Sequence, residues 1–161
     1  MLRIPWVITE TVPEGPLTRD ARTIKSLLTD QSRTGLVLVT LAEEMPTNEA
    51  VELSTALKSQ LDMEVGHLVV NQVYPDRFAP GSPSRRVLQA LSEPSVDPKL
   101  QAVATHSRLG MKRRALNEQY LEQLTSSIPG SRTELPMLFG RDMGLAEIEH
   151  LSLLLEHNLA T

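Results

Sequence analysis

Apolar residues recur every three or four positions from Leu17 to about Thr29, where Leu17, Ala21, Ile24 and Leu28 share one face of a predicted helix. Ahead of it, Pro5, Pro13, Gly15 and Pro16 break up the first sixteen residues. The rhythm then changes. Gly35 precedes LVLVT (36–40), a continuous apolar run of the kind found in strands covered on both faces. Pro46 suits the first residue of a helix whose positive end takes Glu49 and Glu52, and Ala50, Leu53, Leu57 and Leu61 follow at helical spacing. A second strand is predicted over about Val65 to Val70.

From Pro75 to Pro83 the chain reads as a loop, since PDRFAPGSP holds three prolines and a glycine. Two helical stretches follow, broken at SEPSVDP (92–98); the second carries Leu109, Leu116, Tyr120 and Leu124 in phase. Pro129-Gly130 ends it. SRTEL (131–135) is a short strand stopped by Pro136. A last helix, from about Gly144 to Leu159, shows Leu145, Ile148, Leu151 and Leu155 on one side.

Strand, helix, strand, long helical crossover, strand, helix is the order of an α/β fold, a mostly parallel sheet with helices on both faces. Ligands bind such sheets outside the carboxyl ends of the strands. Three tips therefore fall on one edge: Thr40 to Glu44, Asn71-Gln72, and Pro136-Met137-Leu138. Three strands are fewer than the usual four to six, so the sheet reads as incomplete. The whole of 1–161 is expected to form a single domain, with a loop and helical insertion over 76–112.

Composition narrows the function. The chain has 161 residues, 40% hydrophobic and 22% charged, which is a globular composition. Its net charge of −4 argues against a nucleic-acid partner. There is no cysteine, so disulfides, thiolate zinc sites and a cysteine nucleophile are excluded together. With no apolar run of membrane-spanning length and no secretory signal, a cytoplasmic protein is the default expectation.

Candidate chemistry gathers at the tips. Asn71 offers an acceptor and two donors on one group, matching the donor–acceptor edge of adenine, although asparagine also opens turns for purely local reasons. Glu43 and Glu44 could hold a magnesium ion or its water, although adjacent acids before a helix are more often a solvated, dipole-favoured start. In LPMLFGRDMG (135–144), Pro136, Met137, Leu138 and Phe139 lie beyond a strand tip, followed by Arg141 and Asp142. These apolar side chains either cover the faces of a flat ring or dock on the core. His150 and His157 are too far apart for a helical metal pair, and His67 and His106 read as structural or solvated. Neither G-x-x-x-x-G-K-[ST] nor G-x-G-x-x-G occurs, so these residues alone lack the usual device for cradling a triphosphate.

Four stretches in order carry a resemblance. LVLVTLAEEMPTNEAVEL, HLVVNQVYP, ALNEQYLEQL and ELPMLFGRDMGLAEIEHL resemble the C-terminal half of the ArsA-like, anion-transporting ATPases, a deviant-Walker P-loop class that includes the ATPases targeting tail-anchored proteins. The resemblance implies a partial P-loop NTPase-like (ArsA/MinD-like) three-layer sandwich. It places Asn71 against an adenine base and makes Pro136, Met137, Leu138 and Phe139 an adenine-side lid. Glu43 falls at the nucleotide edge or on metal-bound water. The implied cofactors are ATP and Mg, and the implied activity is ATP hydrolysis coupled to anion (arsenite) efflux or client-protein delivery.

The family's Walker A lysines and both switches lie upstream of the matching stretches, and LRIP (2–5) resembles the segment just after switch II. The chain is thus expected to be inactive alone and to need a P-loop half in cis or in trans. Targeting-factor members bridge two subunits through a Cys-x-x-Cys zinc site, but 76–112 has no cysteine, leaving a homodimer without a zinc bridge. A membrane pump or a client protein would be the remaining partner. The alternative is a non-enzymatic interaction module, derived from such an ATPase, that has lost its nucleotide site.

Overall fold

The computed structural model describes residues 2–91, 97–140 and 143–159. Its elements are α1 (Ile4–Thr11), α2 (Pro16–Thr29), β1 (Val37–Leu41), α3 (Glu44–Leu61), β2 (His67–Val73), α4 (Pro83–Ala90), α5 (Pro98–Ser127), β3 (Ser131–Pro136) and α6 (Leu145–Leu159). The three strands are all parallel and lie in the order β1-β2-β3. Sheet and helices together make the expected α/β architecture, a partial P-loop NTPase-like sandwich. The predicted break at 92–98 falls largely on 92–96, outside the described residues, as do Arg141 and Asp142.

Helix starts follow the sequence chemistry. Pro16, Pro83 and Pro98 each open a helix, where a missing N–H leaves nothing unpaired. Ser82 Oγ accepts from Arg85 N at 3.2 Å and Asp97 Oδ1 from Lys99 N at 2.7 Å, capping α4 and α5. The same rule corrects the opening segment. Pro5 interrupts nothing because it sits in the first turn of α1, and Trp6 beside it is buried against Leu57, Leu61 and Met63. Pro46 falls at the third position of α3 rather than the first, still within the turn whose N–H groups have no helical partner.

One sheet face holds the main core. Leu38 of β1 and Leu68 and Val70 of β2 pack with Ala50 of α3 and with Leu121 and Leu124 of α5. The predicted face of α5 holds in part: Leu124 is buried and Tyr120 packs against the core, whereas Leu109 and Leu116 are exposed and Ala104, Asn117 and Leu121 complete the buried stripe. On the opposite side of the pleat His67, Val69, Thr133 and Leu135 are buried, and α6 lies against β3. His67 Nδ1 is 2.6 Å from Ser131 Oγ and its Nε2 is 2.8 Å from Thr133 Oγ1, so this histidine ties β2 to β3, in keeping with a structural role. Gly130, at φ +119°, turns the chain into β3, and a Cβ there would stand 3.4 Å from the Val65 carbonyl.

Coverage stops short of β1. Val37 and Val39 point away from the core face and are 51% and 63% exposed, so LVLVT is buried on one face only among the described residues. Both β1 and β3 are edge strands. In α6 no residue is fully buried, and Leu145, Ile148 and Leu153 are exposed. No described helix is long and apolar enough to cross a membrane.

Candidate functional site

The three strand tips converge at the carboxyl edge of the sheet. Parallel pairing puts Leu41 opposite Asn71 and Pro136 opposite Val73. Between Val70 and Val73 the register slips, and Gln72 adopts a left-handed φ of +56°. Such a bulge re-aims the side chains beside it. β2 thus runs three residues beyond its expected end, and Asn71 and Gln72 belong to the bulged strand rather than to a turn after it. Met137 N continues the ladder past Pro136 by donating to the Val73 carbonyl at 2.8 Å.

Asn71 is half-buried, and its Oδ1 accepts from Gln72 N at 2.9 Å. That bond fixes the plane of the carboxamide and leaves Nδ2 and a second lone pair of Oδ1 for another group. Glu43 is exposed at the start of α3, where its side chain makes no capping bond and its backbone carbonyl accepts from Thr47 N at 2.9 Å. Thr40 Oγ1 donates to the Pro46 carbonyl at 2.9 Å and buried Thr47 to the Leu41 carbonyl at 3.3 Å, which fixes the turn carrying Glu43.

A residue not singled out from sequence organises this edge. Asn117, buried on α5, donates through Nδ2 to the Ala42 carbonyl at 2.8 Å and accepts at Oδ1 from Tyr74 N at 2.9 Å. It therefore joins the end of β1 to the exit of β2. Arg114 adds a bond to the Tyr74 carbonyl at 3.1 Å while paired to Glu118 at 2.9 Å. The available signal was an amide in phase with Leu121 and Leu124.

The expected site residues divide between two hollows. Glu43, Asn71 and Met137 border one of about 60 Å³, beside Asn117. Phe139 borders another of about 550 Å³, formed by the 74–78 loop and the middle of α5. Pro136 and Leu138 are half-buried and border neither. Small-molecule sites span roughly 300–1,000 Å³, so only the second has the volume of a ligand cavity as it stands. No group of three or more His, Cys, Asp or Glu poised for a metal occurs among the described residues.

The resolved pKa displacements lie elsewhere. A hydrogen bond to Glu64 raises the Lys58 pKa, and one to Glu14 raises that of Arg22. Both pairs are exposed, so they add little to stability.

Comparison with known proteins bears on one part of the chain. No curated protein matches it. Residues 16–91, a little under half of the chain, match the sequence model of the ArsA ATPase family, described as anion-transporting ATPase. The matched segment runs from α2 through β1, α3 and β2 to the end of α4, and so includes Glu43 and Asn71; it supports an ATPase-family relationship.

Proposed function

We propose that this chain is the base-recognising part of an ArsA-like ATPase, coupling ATP binding and hydrolysis to anion efflux or to delivery of a client protein. Asn71 would read the Watson–Crick edge of adenine, Pro136 to Phe139 would cover the ring, and Glu43 would stand at the nucleotide edge or on metal-bound water. The observation that carries this is the position of Asn71. It sits on the bulge of the central strand, at the ligand-binding edge, inside the segment that matches the family model.

The residues present suit the base better than the phosphates. A half-buried carboxamide with an unused Nδ2 suits adenine. No Walker A sequence occurs in the 161 residues, so phosphate binding, Mg coordination and hydrolysis would rest on a P-loop half in cis or in trans. When bound, Mg would neutralise charge on the phosphates. The outer edge of β1, which has no partner strand among the described residues, is where such a half would complete the sheet, and its helices would cover the face of Val37 and Val39. Client, pump or second copy would engage the assembled enzyme.

The test is ATP affinity of the chain combined with a P-loop half, wild type against Asn71→Ala. Loss of the paired hydrogen bonds is expected to weaken binding by about 5- to 150-fold, about 1–3 kcal/mol. Unchanged affinity removes Asn71 from the site.

One observation favours a second reading, a non-enzymatic module whose nucleotide site is lost: the hollow beside Asn71 is only about 60 Å³. On that reading no P-loop half restores adenine-nucleotide binding, so the same titration separates the two.

A further inference from the structure

We propose that the cavity between the 74–78 loop and α5 is a second binding site, for a small amphipathic anion with a flat apolar body and one carboxylate or phosphate. It goes beyond adenine recognition at Asn71, which borders the adjoining, smaller hollow; the two share Tyr74 and Arg113 as walls, and Asn71 lines only the smaller one.

Four side chains build the site. Tyr74 and Phe139 meet edge to face, with centroids 5.5 Å apart and planes at 69°. The Arg77 guanidinium lies 5.2 Å from the Phe139 ring centre, and that of Arg113 lies 5.5 Å from the Tyr74 ring centre while donating to its hydroxyl at 3.0 Å. Among the described residues neither guanidinium is in an ion pair. Each is held in place by an aromatic ring, which leaves most of its donor fork for a ligand. Val103 and Leu109, both exposed, supply apolar wall. At about 550 Å³ the cavity is of ligand size.

Charge points the same way. Residues 74–118 carry Arg77, Arg85, Arg86, Lys99, Arg108, Lys112, Arg113 and Arg114 against Asp76, Glu93, Asp97 and Glu118, an excess of four positive charges in a chain of net charge −4, although Asp76 itself borders the cavity. A cationic locus on an acidic protein attracts anions to this cavity and away from the rest of the surface. Two arginines over aromatic rings select a carboxylate or phosphate at the rim, and the rings and aliphatic wall select a flat apolar body. Phe139 is 55% exposed, so its ring is open to such a ligand.

The experiment is a titration of the full chain with naphthoate and naphthyl phosphate, followed by amide NMR shifts, with neutral naphthalene methanol as control. Both anions are expected to give saturable shifts centred on residues 74–78 and 103–114, and the neutral alcohol at least tenfold weaker binding. Arg113→Gln and Arg77→Gln should each weaken the anions about tenfold, as loss of a charge-assisted bond does, and leave the alcohol unchanged. Asn71→Ala should leave all three titrations unchanged, whatever becomes of adenine recognition. Equal binding of the alcohol, no effect of either arginine, shifts centred on β1 or α6, or loss of naphthoate in Asn71→Ala would each overturn the proposal.

Discussion

Asn117 and Ala42 are 75 residues apart in sequence, yet the Asn117 Nδ2 donates to the Ala42 carbonyl at 2.8 Å. Through the same carboxamide Asn117 also receives the Tyr74 N–H at 2.9 Å, so one buried side chain sets the spacing of two strand exits. Replacing it by leucine fills the volume but strips the Ala42 carbonyl of its donor and the Tyr74 N–H of its acceptor. Asn117→Leu is expected to destabilise the fold by about 2–4 kcal/mol, the cost of leaving two buried groups unpaired. Denaturant unfolding measures it, and a loss below half a kilocalorie would mean the edge is held by other bonds.

His67 offers a second test of buried polar pairing. Its two ring nitrogens serve Ser131 and Thr133, and Thr133 is almost wholly buried. His67→Leu should cost about 1–3 kcal/mol in unfolding free energy. The double variant His67→Leu with Thr133→Val should recover part of that loss, because no buried hydroxyl is then left unpaired, and exposed Ser131 keeps its bond to the Gly66 carbonyl.

At Gly130 the chain adopts φ +119°, a region that side chains rarely enter, with the Val65 carbonyl 3.4 Å from a built Cβ. Gly130→Ala is therefore expected to destabilise by roughly 1–3 kcal/mol, although alanine stiffens the unfolded chain. Thermal unfolding would show it as a fall in Tm.

Val37 and Val39 give the opposite expectation. Both are exposed on an edge strand, and unpaired apolar edges template association. The pair Val37→Lys and Val39→Lys should leave unfolding free energy within about 1 kcal/mol of the parent, since little burial is lost. Light scattering should report less aggregation. If a P-loop half completes the sheet here, the same lysines should prevent that assembly.

Much of the order of elements was legible in the sequence, because strands and helices differ in period and in their punctuation by Pro and Gly. What was lost has identifiable causes. Pro5 hid α1, since a proline in a first turn looks in sequence like one that breaks a helix. Phasing α5 on Leu109, Leu116, Tyr120 and Leu124 caught the C-terminal half of the buried face and missed the rest, because that face includes the amide of Asn117. The apolar face of α6 is covered only in part: Leu151 and Leu155 are half-buried where the helix lies against β3, while Leu145 and Ile148 are exposed. The place of Asn71 at the tip of β2 was legible from position, while its role against a base rests on the family resemblance. The Gln72 bulge was not legible, as nothing in Val-Asn-Gln-Val announces a left-handed residue. Phe139 was named in the sequence as a lid residue, but its pairing with Arg77 was not, because 62 residues separate them and only the fold brings cation to ring.

The strands lie side by side in the order in which they are made, β1 then β2 then β3. During synthesis each new strand can therefore add to the flank of the one before it, without threading between strands already paired. Every crossover also brings the helix that covers the new pair, so intermediates on the ribosome keep few long-range contacts waiting. The flank left bare throughout that growth is the outer side of β1, the first of the three to emerge.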